Sequence, residues 1–134
     1  WMIEIDFMGG CHRHSGGRES WRHRVLYQLF HENLMPVWRS LQKVCYIPRI
    51  LLWENTAVYL DWLYHHEIKR RVDFHTWQQC LVDYDYIRKE LDGSCFGEAQ
   101  NPFQRLFEHP SERRKTCCFA YSIKEDYCKN CPHR

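Results

Sequence analysis

Four of the eight cysteines in the chain stand in one short stretch, "KTCCFAYSIKEDYCKNCP" (115–132), as the adjacent pair Cys117-Cys118 and the C-x-x-C pair Cys128 and Cys131. Disulfides, a zinc ion or an iron–sulfur cluster could each close such a segment. A disulfide framework would distribute its partners along the chain, and adjacent cysteines bond each other only with strain. The N-terminal "WMIEIDFMGG" carries two acids and no basic lead-in, so it does not read as a secretory signal. The expected compartment is therefore the cytoplasm, with peripheral contact to the inner membrane surface left open, and disulfides rarely persist there. The chain begins at Trp1, not Met, which reads as a processed chain or a piece of a longer protein.

Two residues between Cys128 and Cys131 let both sulfurs face one metal while turn amides offset their charge. A thioredoxin-type motif would open a helix after a strand, and this one stands at the chain end. Neighbouring side chains in extended backbone point to opposite faces. Closing one tetrahedral zinc site with both Cys117 and Cys118 is therefore awkward, whereas a two-iron cluster offers two metals that each need two thiolates. Between the pairs, "FAYSIKEDY" alternates Phe119, Tyr121 and Ile123, then turns at "KED". That predicts a β-hairpin returning Cys117-Cys118 to Cys128. The geometry favours a cluster and leaves zinc open.

The rest of the chain supplies a scaffold. At 134 residues, with 44% hydrophobic and 16% aromatic content, it is the size of one domain with a core of large clusters. A net charge of +2 gives no reason to expect nucleic acid. No run reaches the roughly 18 apolar residues of a membrane span. No P-loop, dinucleotide glycine motif or Ser/His/Asp arrangement is present. The expected fold is mainly α: a single compact helical domain over 1–110, with 1–19 irregular, followed by a small Cys-rich β-hairpin/loop lobe over 111–134 that holds a metal cluster.

Residues 1–8 alternate weakly, as in a short strand, and Cys11, His12 and His14 sit in a Gly-rich loop where solvation is the simplest reading. A helix is predicted from Ser20, with Trp21, Val25, Leu29 and Leu34 on one side and Leu26 and Phe30 beside them. Pro36 breaks or restarts it, and "VWRSLQKVC" continues to Cys45. Pro48 opens the most apolar helix. There Glu54, Asp61 and His65 form a narrow polar stripe, and the other sides are expected to be buried. Asn55 lies off that stripe with Leu51, Tyr59 and Trp62; it reads as a structural tie to backbone, with contact to a substrate as the alternative. "IKRR" (68–71) is a charged break. A further helix over about 73–91 carries Phe74, Trp77, Leu81, Tyr84 and Ile87 inward and ends at Asp92-Gly93. "PFQRLF" adds a turn or two. Cys45 and Cys80 read as small core residues.

The sequence resembles the FhuF-type ferric siderophore (siderophore-iron) reductases. "RRKTCC" (113–118) and "CKNCP" (128–132) match that family's C-C-x10-C-x2-C motif, with nine residues here between Cys118 and Cys128. "IPRILLWENTAVYLDWLY" is similar to its Pro-x-x-x-Leu-Trp-x-Asn helix, and "NPFQRLF" fits as well. The resemblance covers roughly residues 25–134. It implies a [2Fe-2S] cluster on Cys117, Cys118, Cys128 and Cys131, and one-electron reduction of a ferric siderophore that releases Fe(II). An unidentified electron donor is the implied partner, with no nucleic acid and no integral membrane segment. Asn55 matches the family's Asn, which places it near the cluster or substrate. Arg113 and Arg114, with Lys115 and Lys129, would moderate the cluster's charge or attract an anionic complex. Trp53 and Trp62 are expected in the core. The alternatives are a zinc-stabilised structural or interaction module and a non-catalytic accessory domain of a siderophore-handling protein.

Overall fold

A computed structural model of the chain describes residues 17–107, 114–124 and 126–134. The expectations for residues 1–8, for Cys11, His12 and His14, and for Arg113 fall outside the described residues. The described part is mainly helical, as expected, and contains no strand.

Helix α1 (Arg18–Tyr27) passes through a π-helical segment (Gln28–Leu34) directly into α2 (Met35–Cys45). Pro36 has no N–H to give a preceding carbonyl, and that missing bond falls where the continuous helix is widened to π geometry. The wider turn before it has its own tie: the Asn33 side chain donates to the Gln28 carbonyl five residues back at 2.7 Å. Gly17 stands at the N-cap of α1, so the helix starts two residues before Ser20, whose hydroxyl donates back to the Gly17 carbonyl at 3.0 Å. The inward face of α1 also differs from expectation. Leu26 and Phe30 are buried, while Trp21, Val25 and Leu29 face solvent. Both sets recur every four residues, so periodicity alone could not choose; the fit of Phe30 against Trp53, Phe96 and Phe103 does.

Helix α3 (Arg49–Trp62) follows Pro48 at its N-cap and also widens into a π segment (Leu63–Ile68), then ends with α4 (Lys69–Arg71). "IKRR" therefore continues the helix. Glu67 accepts from both Arg70 and Arg71, which offsets the crowding of like charges. The π turn has an outside partner, since the Trp77 indole N–H donates to the Tyr64 carbonyl at 2.9 Å. Burial of α3 follows the expected pattern on one face and departs from it at Glu54 and along the opposite face. Leu52, Trp53, Glu54 and Ala57 are buried, whereas Val58 and Trp62 are exposed and Tyr59 is 70% accessible. Asp61 and His65 do face each other, at 3.3 Å.

Helix α5 (Phe74–Lys89) is capped by Asp73, which accepts from the Thr76 N–H at 3.0 Å. Trp77, Leu81, Tyr84 and Ile87 turn inward or are partly covered, but Phe74 is 67% exposed. A 3-10 turn (Gly93–Phe96) and α6 (Pro102–Phe107) complete the scaffold. α5 stops at Glu90, so Gly93 does not serve as its left-handed cap. A Cβ at Gly93 would lie 2.7 Å from Gln100 backbone, and close packing is what requires glycine there.

Phe30, Trp53, Phe96 and Phe103 form the centre, with ring centroids 4.8 to 6.2 Å apart. Each such ring contributes about 1.5–3 kcal/mol through burial. Cys95 is the buried thiol of this region. Cys45 is exposed and Cys80 half-buried, because the faces carrying them turn away from this aromatic centre.

The predicted β-hairpin does not form. Tyr121–Lys124 is a helical turn, α7, in which Ser122 and Ile123 donate to the carbonyls of Phe119 and Ala120. Phe119 has φ 56°, a left-handed conformation that ends the extended run before a ladder can start. The lobe over the described part of 114–134 is thus loop and one short turn.

Candidate functional site

Two adjacent residues of α3 hold the start of the cysteine segment. Glu54 is 6% exposed, and among the described residues its carboxylate takes its donors from that segment. Oε1 accepts the Lys115 N–H at 2.6 Å; Oε2 accepts the Thr116 N–H at 2.8 Å and the Thr116 hydroxyl. Arg114 Nε lies 3.7 Å from Oε2. Asn55 supplies the other half. Its Nδ2 donates to Leu51 at 3.0 Å and its Oδ1 accepts from Arg114 Nη2 at 2.7 Å. A carboxylate this buried is tolerated because two backbone N–H groups and a hydroxyl donate to its oxygens and a guanidinium lies beside it. Hydrogen bonds of this charged kind contribute about 1.5–3 kcal/mol each. Two more ties complete the frame: Arg114 N–H donates to the Asn130 carbonyl at 2.8 Å, and Lys115 Nζ donates to the Arg105 carbonyl on α6.

The thiols follow immediately. The left-handed Phe119, a conformation costing a bulky residue about 1–2 kcal/mol, turns successive N–H groups back onto sulfur. Phe119 N–H donates to Cys117 Sγ at 3.4 Å, and Ala120 N–H donates to Cys118. Both Cys118 and Cys128 are free thiols, and the Cys128 thiol donates a hydrogen bond to Cys118. Burial pushes the Cys118 thiol up, but the Ala120 N–H, the Cys128 thiol and the Arg114 guanidinium outweigh it and hold it below the ordinary value. Cys128 moves the opposite way, raised by burial and then by its bond to Cys118 and the charges of Cys118 and Cys131. Cys131 is buried, and its N–H closes the C-x-x-C turn onto the Cys128 carbonyl at 3.1 Å. Among the described residues, no three His, Cys, Asp or Glu side chains converge as a single-ion site.

Asn55 and Arg114 are therefore brought together beside the cysteines, as tie and cation. Arg114 is not free to meet a substrate, since its side chain is 10% exposed and engaged by two residues of α3. Trp53 belongs to the core and Trp62 does not. Sequence reasoning missed Glu54 and Thr116. The available signal was an acid directly beside Asn55 in the most apolar helix. Phe119, Tyr121 and Tyr127 present exposed rings around the lobe, with Tyr121 and Tyr127 centroids 5.4 Å apart. A cleft of about 390 Å³ lined by Arg49, Trp53, Glu98 and Arg105 opens nearby, and Glu98 pairs with Arg49 at 3.2 Å.

Comparison with known families gives a match over residues 9–119 to the family described as ferric iron reductase FhuF-like transporter. The chain belongs to the FhuF-like family. No curated protein and no solved structure matches it. In this FhuF-like protein the matched region takes in Glu54, Asn55, Arg114, Cys117 and Cys118, and it ends before Cys128 and Cys131. The family description indicates ferric iron reduction. Among the described residues of this FhuF-like protein, no helix is long and apolar enough to cross a membrane.

Proposed function

We propose that this FhuF-like protein is a ferric siderophore reductase of the cytoplasm, carrying a [2Fe-2S] cluster on Cys117, Cys118, Cys128 and Cys131. The helical part, 1–110, would be the scaffold, and 111–134 the cluster-binding segment. The carrying observation is the clamp from α3: Glu54 and Asn55 fasten residues 114–116 immediately before the first two thiols.

The donor set fits the group in its chemistry. Four thiols stand in two closely spaced pairs, and backbone N–H groups already donate to the Cys117 and Cys118 sulfurs, as anionic thiolates require. When bound, such a cluster supplies one electron, which suffices to convert Fe(III) into Fe(II), a poorer match for the hard oxygen donors of a siderophore. The chain's own part is to hold the thiolates, donate hydrogen bonds to sulfur and place Arg114 beside them. No side chain needs to act as acid, base or nucleophile. An unidentified reductant would return the electron.

The test is the visible and EPR spectrum of anaerobically purified protein before and after dithionite, followed by trapping of Fe(II) from a ferric siderophore. A red-brown protein that bleaches and gains an S = 1/2 signal is expected. Cys117→Ser and Cys131→Ser should each abolish colour and Fe(II) release together. A colourless protein containing stoichiometric zinc would overturn the reading.

A further inference from the structure

We propose that Glu54 and Arg114 form a charge pair that sets the reduction potential of the centre on Cys117, Cys118, Cys128 and Cys131. Arg114, held by Asn55, raises the potential, and Glu54 limits that effect. The inference rests on the cluster assignment above.

Among the described residues of the lobe, Arg114 is the cation least open to solvent, its side chain 10% exposed. Its guanidinium is held by Asn55 at 2.7 Å through Nη2, and its Nε, 3.7 Å from Glu54, has no hydrogen-bond partner among the described residues. Arginine keeps its charge in any such environment. Arg114 stands two residues before Thr116, which precedes the Cys117-Cys118 pair, and its backbone N–H donates to the Asn130 carbonyl at 2.8 Å, inside the Cys128–Cys131 turn. The residue that carries this charge is therefore anchored between the two thiol pairs. Reducing the centre adds one negative charge, so a fixed cation beside it favours the reduced form. Glu54 carries the opposite charge 3.7 Å from the Arg114 Nε and offsets part of its field.

Burial decides which cations matter. Lys115 and Lys129 are exposed, where water and salt screen a charge strongly. Arg114 and Glu54 lie out of solvent, where the effective dielectric is lower and a unit charge is felt several ångströms away. The pair should dominate over the more numerous lysines.

The experiment is a potentiometric titration, followed by visible absorbance, of the loaded wild type, Glu54→Gln, Arg114→Gln, Arg114→Lys, the Glu54→Gln/Arg114→Gln double variant and Lys129→Gln. Removing the Glu54 charge leaves Arg114 held by Asn55. At a fixed ambient potential, the ratio of reduced to oxidised centre should rise about tenfold, equivalent to about 59 mV for one electron. Arg114→Gln should move the ratio a similar amount downward. Arg114→Lys, which keeps the charge, should stay close to wild type, and Lys129→Gln should leave the ratio unchanged. The double variant should lie nearer wild type than either single glutamine variant. If Glu54→Gln takes up no cluster, the contrast between Arg114→Gln and Arg114→Lys decides. Coloured variants that all share the wild-type potential would overturn this inference alone, leaving the pair as a fastener. A colourless wild type would overturn the cluster assignment and this inference with it.

Discussion

Asn101 joins two helices through one buried amide. Its nitrogen donates to the carbonyls of Ile87 and Leu91 at 2.8 and 2.9 Å, and its oxygen accepts the Phe103 N–H at 2.9 Å. Asn101→Ala should cost about 3 kcal/mol, because backbone groups at the end of α5 and the start of α6 lose partners in a dry place. A lower urea midpoint with unchanged slope would show it. Tyr64 gives a pH dependence. Burial, then the charges of Asp83 and Cys80, push its phenol up from 10.0 to about 12. The folded state thus holds this proton more tightly than the unfolded chain, so the stabilisation is complete below pH 10 and lost as pH rises toward 12. Between pH 9 and 11.5, wild type should lose roughly 1 kcal/mol more stability than Tyr64→Phe, after allowance for the solvent-facing part of the ring. Tyr84 is shifted in the same direction by burial and Asp61. Sequence made some of these residues legible and hid others. Asn55 stood out because an amide on an apolar face demands partners. Glu54 did not, since on the wheel it fell with Asp61 and His65; what buries it is Lys115 and Thr116, sixty-odd positions along the chain. Local periodicity carries no record of that meeting.

Helices were readable where a local device marks them. Asp73 before Phe74, Pro48 before Arg49 and Pro102 at the start of α6 all stand at or beside real starts. The π-helical segments at Gln28–Leu34 and Leu63–Ile68 were not readable, because a widened turn keeps the composition of an ordinary one while shifting which side chains face inward. The predicted hairpin failed for a related reason. Alternation at Phe119, Tyr121 and Ile123 suits a strand, but Phe119 turns left-handed and directs its N–H to sulfur. In the connection from α5 to α6, Gly93 packs against Gln100 with no room for a methyl group. Gly93→Ala should therefore destabilise by about 1–3 kcal/mol, since the obstructing atoms are backbone and cannot rotate away. Thermal unfolding would report the loss, and a melting temperature equal to wild type would show that the 93–100 connection can shift bodily.

At the level of the whole molecule, the helical scaffold and the cysteine lobe differ in what holds them. The scaffold closes on rings from α3, α6 and the segments around them; the lobe is held by charged hydrogen bonds to α3 and a lysine tie to α6. Stripping the proposed centre should speed amide exchange several-fold across 114–124 and 126–134 while leaving the centres of α3 and α5 protected, because local opening follows local contacts. Hydrogen-exchange mass spectrometry of loaded and stripped protein would decide, and loss of protection in α3 would mean that core and lobe melt as one unit. The clamp also has a consequence for biosynthesis. A chain emerging from the ribosome completes α3, with Glu54 already in it, long before residues 114–116 exist to cover that carboxylate. The socket precedes the plug: α3 is complete before the segment that covers Glu54 exists, and loading of the proposed centre would be a late step on a scaffold already made.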